Sequence, residues 1–282
     1  MDPIVARKTW RTLEPIHGMI YFVPEAEAEY AHLGVTMQRT GYFASRAAPM
    51  GAVTADVVIS TFYNFNPALV RAAMNGAWEI ASPLQFTNVR FRAVDAALRR
   101  AWGDEMVRSP EVKTLATLLR RVAEVACEKP EGRPLFAGHS SVAWPEEPHL
   151  VLWHAQTLLR EFRGDGHIAA LTAEGLTGIE ALVSHAASGD VPAQALTSSR
   201  SWSDDEWSSA IDGMRTRGLV TKSGDLAFTP AGDEQRARIE ATTDALATSP
   251  YLAFGEEVCE QIRQLGRPLS KAIMQAGLLP LR

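Results

Sequence analysis

The sequence predicts a mainly α-helical protein made of two tandem repeats, and three observations lead there. Apolar residues of the second half recur at helical spacing. Punctuation rich in Pro and Gly gathers near the middle, in Lys129-Pro-Glu-Gly-Arg-Pro134 and Trp144-Pro-Glu-Glu-Pro148. The segments on either side of it can be laid over each other in the same order. One ungapped offset pairs Leu13 with Leu150, His17 with His154, Gly41 with Gly178, Ala44 with Ala181, Phe65 with Trp202 and Gly76 with Gly213. With small gaps, Leu84-Gln-Phe-Thr87 matches Leu226-Ala-Phe-Thr229, and Gly132-Arg-Pro-Leu135 matches Gly266-Arg-Pro-Leu269. The expected division is therefore 1–143 and 144–282.

The second half reads element by element. From Leu150 to Arg163, the residues Val151, Ala155, Leu158, Leu159 and Phe162 fall on one stripe, which predicts a helix. Gly164 is placed to stop it and Asp165 to cap the next helix, through Ile168, Ala169 and Leu171. A short helix over 178–187 follows, then a loop with Gly189, Asp190 and Pro192. Ser203 is placed to cap a helix over 204–217 whose inner face carries Trp207, Ile211 and Met214. Lys222-Ser-Gly-Asp225 then joins two short apolar runs near 218–229 and reads as a hairpin turn. After Pro230-Ala-Gly232 a long helix carries Ile239 and Thr243. Helices, a β-wing and a further helix form the order of a winged helix. The first half has only Glu-Ile-Ala-Ser-Pro between Trp78 and Leu84, too short for a proper wing.

The stretch from Glu206-Trp207 through Arg217-Gly-Leu-Val220 to Leu226-Ala-Phe-Thr-Pro-Ala-Gly232 resembles the recognition helix, wing and following helix of MarR-type winged-helix proteins. With Tyr42-Phe-Ala-Ser-Arg-Ala-Ala-Pro-Met50 and the segment Trp153–His167, the whole chain looks like an actinobacterial family of duplicated winged-helix proteins with no assigned activity. The resemblance implies two tandem winged-helix-like repeats forming a pseudo-two-fold, MarR-dimer-like unit, with the wing degenerate in the first repeat. MarR-type proteins pair through their terminal helices and hold ligands in crevices beside their DNA-binding lobes. A chain carrying both lobes is expected to be a monomer or a weak homodimer.

Composition narrows the function. Of 282 residues, 46% are apolar and 22% charged, enough for two cores of about 140 residues each. The net charge of −5 lacks the cationic excess of a non-specific nucleic-acid binder. Cys127 and Cys259 are the only cysteines, which excludes a disulfide framework and a CxxC zinc site. The N-terminus has no apolar signal core, and no run approaches a membrane span, so a cytoplasmic protein with no membrane partner is expected. GxGxxG, GxxxxGK[ST] and GxSxG are absent. His149 and His154 are not spaced as two ligands on one helical face, and no metal or cofactor is expected. Haem on a lone His17 or His154 is the one cofactor alternative.

The candidate chemistry is polar residues set against aromatics. His154 and Glu161 share a helix flank two turns apart, and a carboxylate there could orient an imidazole. His17 is the counterpart of His154. Arg163 and His167 bracket the turn-like Arg163-Gly-Asp-Gly-His167. Arg46 sits in an otherwise small and apolar helix and needs a carboxylate of the protein or of a ligand. Tyr63 and Phe65 are placed to wall an apolar cavity between the repeats. DNA recognition would fall to Arg215, Arg217 and Lys222, but the helix before them opens on Asp204, Asp205 and Glu206. Basic and acidic side chains number 12 and 17 in 149–282 against 16 and 16 in 1–148, so the better-formed winged-helix half is the acidic one. The expected function is binding of a small, partly aromatic molecule, for sequestration, sensing or a specialised reaction. A MarR-type regulator working as a fused dimer is the alternative.

Overall fold

The computed structural model describes residues 1–189, 191–222 and 224–280. The helices run in the order α1 (Pro3–Gly18), α2 (Pro24–His32), α3 (Gln38–Ala47), α4 (Ala55–Phe62), α5 (Pro67–Met74), α6 (Ala77–Ile80), α7 (Pro83–Val107) and α8 (Pro110–Cys127). They continue as α9 (Pro134–Ser140), α10 (Pro148–Ala173), α11 (Gly178–Ala187), α12 (Ala193–Arg200), α13 (Asp204–Thr216), α14 (Pro230–Leu252) and α15 (Gly255–Gln275). The starts are written in the sequence. Proline opens α1, α2, α5, α7, α8, α9, α10 and α14, where its missing N–H would have no helical partner and its φ is already set. Capping boxes Ser82/Gln85, Thr177/Glu180 and Ser203/Glu206 open α7, α11 and α13.

The chain divides into two compact units, one of Met1–Val53, Gly76–Asp165 and Asp244–Arg282, the other of Thr54–Asn75 and Gly166–Thr243. This division differs from the expected 1–143 and 144–282, because α10 and α14 contribute to both units and α4–α5 belongs to the second. The ties of α4–α5 explain that. The Tyr63 hydroxyl donates to the Leu176 carbonyl, Trp202 Nε1 donates to the Asn64 carbonyl at 2.9 Å, and the Asn66 amide donates to the Arg200 carbonyl at 3.1 Å. In the first unit α1 lies along α15, close enough that a Cβ on Gly266 would run into Leu13. Leu13, Ile16, Leu98, Leu115, Leu119, Leu152, Phe162 and Ile262 fill that core. The second unit has its own core of Leu176, Leu182, Val183, Trp207, Met214, Val220 and Ile239.

Three local expectations are corrected. The wing near 218–229 is a single antiparallel bridge, Val220 with Phe228, flanked by Thr221 N–H donating to Ala227 at 2.9 Å and Thr229 N–H to Leu219 at 3.1 Å. No longer strand occurs among the described residues; Ser223 of the expected turn, like Asp190 of the earlier loop, lies outside them. The short α6, entered through a left-handed Gly76, stands where the first half lacks a wing. The two Gly-Arg-Pro-Leu segments are also placed differently. Gly132, at φ +72°, leads into α9, whereas 266–269 lies inside α15. The first glycine is needed for its φ and the second for close helix approach, so this match does not support duplication.

The third correction concerns Gly164-Asp-Gly166. α10 runs straight through it. A glycine inside a helix costs about 1 kcal/mol, and the burial of α10 outweighs that. Asp165 caps a different helix: its carboxylate accepts the Phe136 N–H at 2.9 Å, at the start of α9. Burial raises the Asp165 carboxyl to about 7, more than that hydrogen bond lowers it. A raised folded pKa contributes stability that is present below about pH 4, the unfolded value, and is lost as pH rises through about 7. Asp165→Asn keeps an acceptor and removes the titration. In urea unfolding its stability relative to wild type should grow between pH 4 and 7 and then level off; a constant difference across that range would contradict this account.

Candidate functional site

The site is built on the part of α10 that belongs to the first unit. Residues 151–159 and 161–163 are all buried, so the polar side chains His154, Gln156, Thr157 and Glu161 are cut off from bulk solvent and depend on neighbouring helices for partners. Arg46 of α3 donates to both Glu161 oxygens, at 3.0 and 3.3 Å, and to the Tyr42 hydroxyl at 2.8 Å. Arg160 donates to Glu161 and to Glu14, each at 3.0 Å. Burial pushes the Glu161 carboxyl up, but the guanidiniums of Arg46 and Arg160 overrule it and hold it near 2. The protein carboxylate that Arg46 requires is thus Glu161. Three guanidiniums, those of Arg46, Arg90 and Arg160, lie 5.2, 5.8 and 5.5 Å from the centre of the Tyr21 ring, within cation–π range.

His17 joins the same cluster, and its tautomer follows from its neighbours. Thr157 Oγ1 donates to the Trp153 carbonyl at 2.9 Å, so it can only accept from His17 Nδ1, 2.8 Å away. His17 Nε2 then carries the lone pair and accepts the Tyr21 hydroxyl at 2.7 Å. Burial, reinforced by Arg160, Arg90 and Arg46, keeps the His17 imidazole neutral, with its pKa well below the ordinary value.

A small cavity opens beside this cluster, lined by Ser45, Thr87, Arg90, His139, Trp153 and His154 together with Pro49, Phe91 and Val142. The space open to the centre of a water-sized sphere is about 10 Å³, roughly what one water needs. His139, His154 and Arg90 are 4%, 1% and 3% exposed. Even so, His139 Nε2, His154 Nε2, Arg90 Nε and Trp153 Nε1 have no hydrogen-bond partner among the described residues. Burial, followed by the field of Arg90, lowers His139 to about 3 and His154 to about 4. Phe91 and Trp144 pack on the His154 ring, with ring centres 5.7 and 4.8 Å away.

Of the residues singled out by sequence, the structure brings His17, Arg46 and Glu161 into one network and sets His154 at the cavity. His154 and Glu161 are not partners of each other. Arg163, also in the first unit, donates to Asp244 at 2.7 Å and lies over Trp10. His167, Tyr63 and Phe65 belong to the second unit. There His167 Nδ1 meets Thr243 Oγ1 at 2.9 Å, and Arg200 lies over Phe65. Sequence reasoning missed Arg90, His139, Trp153 and Arg160. Arg90 did leave a signal: it falls on the apolar stripe Phe86, Val89, Ala93, Val94, Ala97 of α7, as Arg46 does in α3.

The second unit contains α11, α12 and α13. α13 exposes Asp204, Asp205 and Glu206 in its first turn. Arg215 is paired with Asp212 at 3.1 Å and donates to the Thr221 carbonyl, and Arg217 is paired with Glu180. Lys222 is exposed. A family model described as a helix-turn-helix family matches residues 6–280. The chain belongs to that helix-turn-helix family. Neither a curated protein nor a solved structure matches it. No helix among the described residues is long and apolar enough to cross a membrane.

Neutral buried imidazoles have a consequence for stability. A folded pKa below the unfolded value near 6.5 gives stability that is present above about pH 6.5 and lost as pH falls toward 4. A chain carrying His139→Gln and His154→Gln should show a flatter stability profile than wild type in that interval. Comparing variant with wild type cancels Asp165, which titrates in the opposite sense over part of the range. Parallel profiles would mean that these imidazoles are not held neutral.

Proposed function

We propose that this helix-turn-helix family member is a small-molecule-binding protein and that its ligand binds at the first-unit cavity beside Arg90, His139 and His154. The observation that carries this reading is the set of buried nitrogens there that the protein leaves unpartnered. An unsatisfied buried polar group costs about 1–3 kcal/mol, and a bound ligand offsets that cost. A space of about 10 Å³ takes only a water-sized group, so the bulk of a partly aromatic ligand would lie outside it. Sequestration, sensing and a specialised reaction are all compatible with such a site.

The scaffold is read as a duplicated winged helix of the MarR-like kind. Support comes from helix order: α3, α4, α5, α6 and α7 in the first half parallel α11, α12, α13, the Val220–Phe228 bridge and α14 in the second. Family membership also favours a second reading, a DNA-binding regulator acting as a fused dimer. The exposed carboxylates that open α13 and the internal ion pairs of Arg215 and Arg217 weigh against it. Phosphate contacts need available cations.

Two experiments separate the readings. Native mass spectrometry of the full chain purified from its own host should show excess mass that is retained gently and released on denaturation. His154→Ala should hold that mass about 5- to 150-fold more weakly, corresponding to roughly 1–3 kcal/mol. No excess mass, or equal retention by the variant, would count against ligand binding at this cavity. In a gel-shift titration at physiological salt, random duplex should bind no tighter than about 10⁻⁶ M. Sequence-selective retardation below that concentration would put the regulator first.

A further inference from the structure

Around Glu161 the first-unit core gathers three guanidiniums, those of Arg46, Arg90 and Arg160, against two carboxylates, Glu161 and Glu14. Arg46 and Arg160 share Glu161 and Glu14. Arg90 has no carboxylate partner among the described residues. Its contacts are the Ser45 carbonyl and the Tyr21 hydroxyl, both at 3.4 Å, and the ring faces of Tyr21 and Trp153. A guanidinium taken out of water without a counter-charge is costly, and neutral oxygens at the far end of hydrogen-bonding distance offset little of that cost. Arg90 lines the cavity, and its Nε is one of the unpartnered atoms.

We propose that the cavity lined by Arg90, His139, Trp153 and His154 binds one monatomic monoanion, of the size of chloride. The charge is set by the buried guanidinium that touches no carboxylate, and the size by the space available. The Arg90 and Trp153 N–H groups are donors, and His139 donates in its Nε2–H tautomer. A water could take these bonds too, but it would bring no negative charge into contact with the Arg90 guanidinium.

His154 adds a proton to the event. Its other ring nitrogen is hydrogen-bonded to the Val142 backbone, which makes Nε2 a lone pair in the neutral ring. A lone pair facing an anion is repulsive, so the anion enters together with a proton that lodges on His154 Nε2; the net charge of the site is unchanged, and the gain is the anion's direct contact with two buried cations, Arg90 and the His154 N–H. The charged and titratable groups around this ring are Arg90 from α7, Arg120 from α8 and His139 from α9; Glu161 and Arg46 act on His139. The cations oppose that proton until the anion arrives. Uptake of one proton with each anion makes affinity rise up to tenfold for each unit that pH falls.

This inference rests on the proposed function only in placing a ligand at the same cavity. It is tested by the thermal unfolding midpoint of the full chain, titrated with sodium chloride at pH 6 and 8, with sodium nitrate, formate and gluconate at matched ionic strength as references. Chloride should give a saturable rise that the larger anions do not, with half-saturation at least tenfold lower at pH 6 than at pH 8. Arg90→Met should abolish the saturable component, and His154→Gln should abolish its pH dependence; if Arg90→Met does not fold, His154→Gln decides. Equal responses to all four salts, or a saturable response with unchanged pH dependence in His154→Gln, would overturn the inference. A co-purifying organic ligand with no response to free anions would also overturn it while leaving the proposed function standing. The converse outcome would support the anion site and remove the organic ligand.

Discussion

A helix buried on every side must find all its polar partners inside the protein, and α10 is such a helix through most of its first-unit length. Bulk water cannot reach Thr157 or Glu161, so other helices of that unit deliver partners to fixed positions, while His154 Nε2 is left facing the cavity. α1 brings His17 and Glu14, α3 brings Arg46, and α9 is held by Asp165. Each of these contacts ties a helix to α10 beside the apolar packing of Leu152, Leu158 and Phe162. Breaking one leaves a buried charge or an unpaired donor, a larger loss than the net worth of the bond itself.

The network closes around Glu161 but not around Arg90. That asymmetry sets the electrostatics of the cavity. Positive potential from Arg90 and its neighbours, added to burial, keeps His17, His139 and His154 neutral. It also gives the cavity a chemical preference that its small volume sharpens. Binding capacity thus arises where unpartnered nitrogens of several buried residues face one cavity.

Local punctuation made much of the fold legible. Ser203 caps α13 and a helix opens at Pro230, both as the sequence indicates, because caps act within one turn and need no tertiary partner. The α10 interruption was misread for the opposite reason: Gly164 and Gly166 favour a break locally, and burial of the helix overrides them. The unit boundary was illegible because it is set by contacts of Tyr63, Asn64 and Asn66 with residues more than a hundred positions away. At the site, an arginine amid small apolar residues marked Arg46 as needing a partner. The same pattern around Arg90 passed unread, and His139 sits beside a proline-rich stretch where sequence offers no face to assign it to.

The first-unit core encloses neutral imidazoles beside a guanidinium that touches no carboxylate. Imidazole nitrogen-15 NMR of the full chain at pH 6, with each resonance assigned by a His→Gln variant, reads tautomer and protonation directly. The account predicts His17 as the Nδ1–H tautomer and, in gluconate buffer, neutral rings at His139 and His154. A protonated His139 or His154 under those conditions would mean that the cavity is not a cationic enclosure, and the account would be wrong.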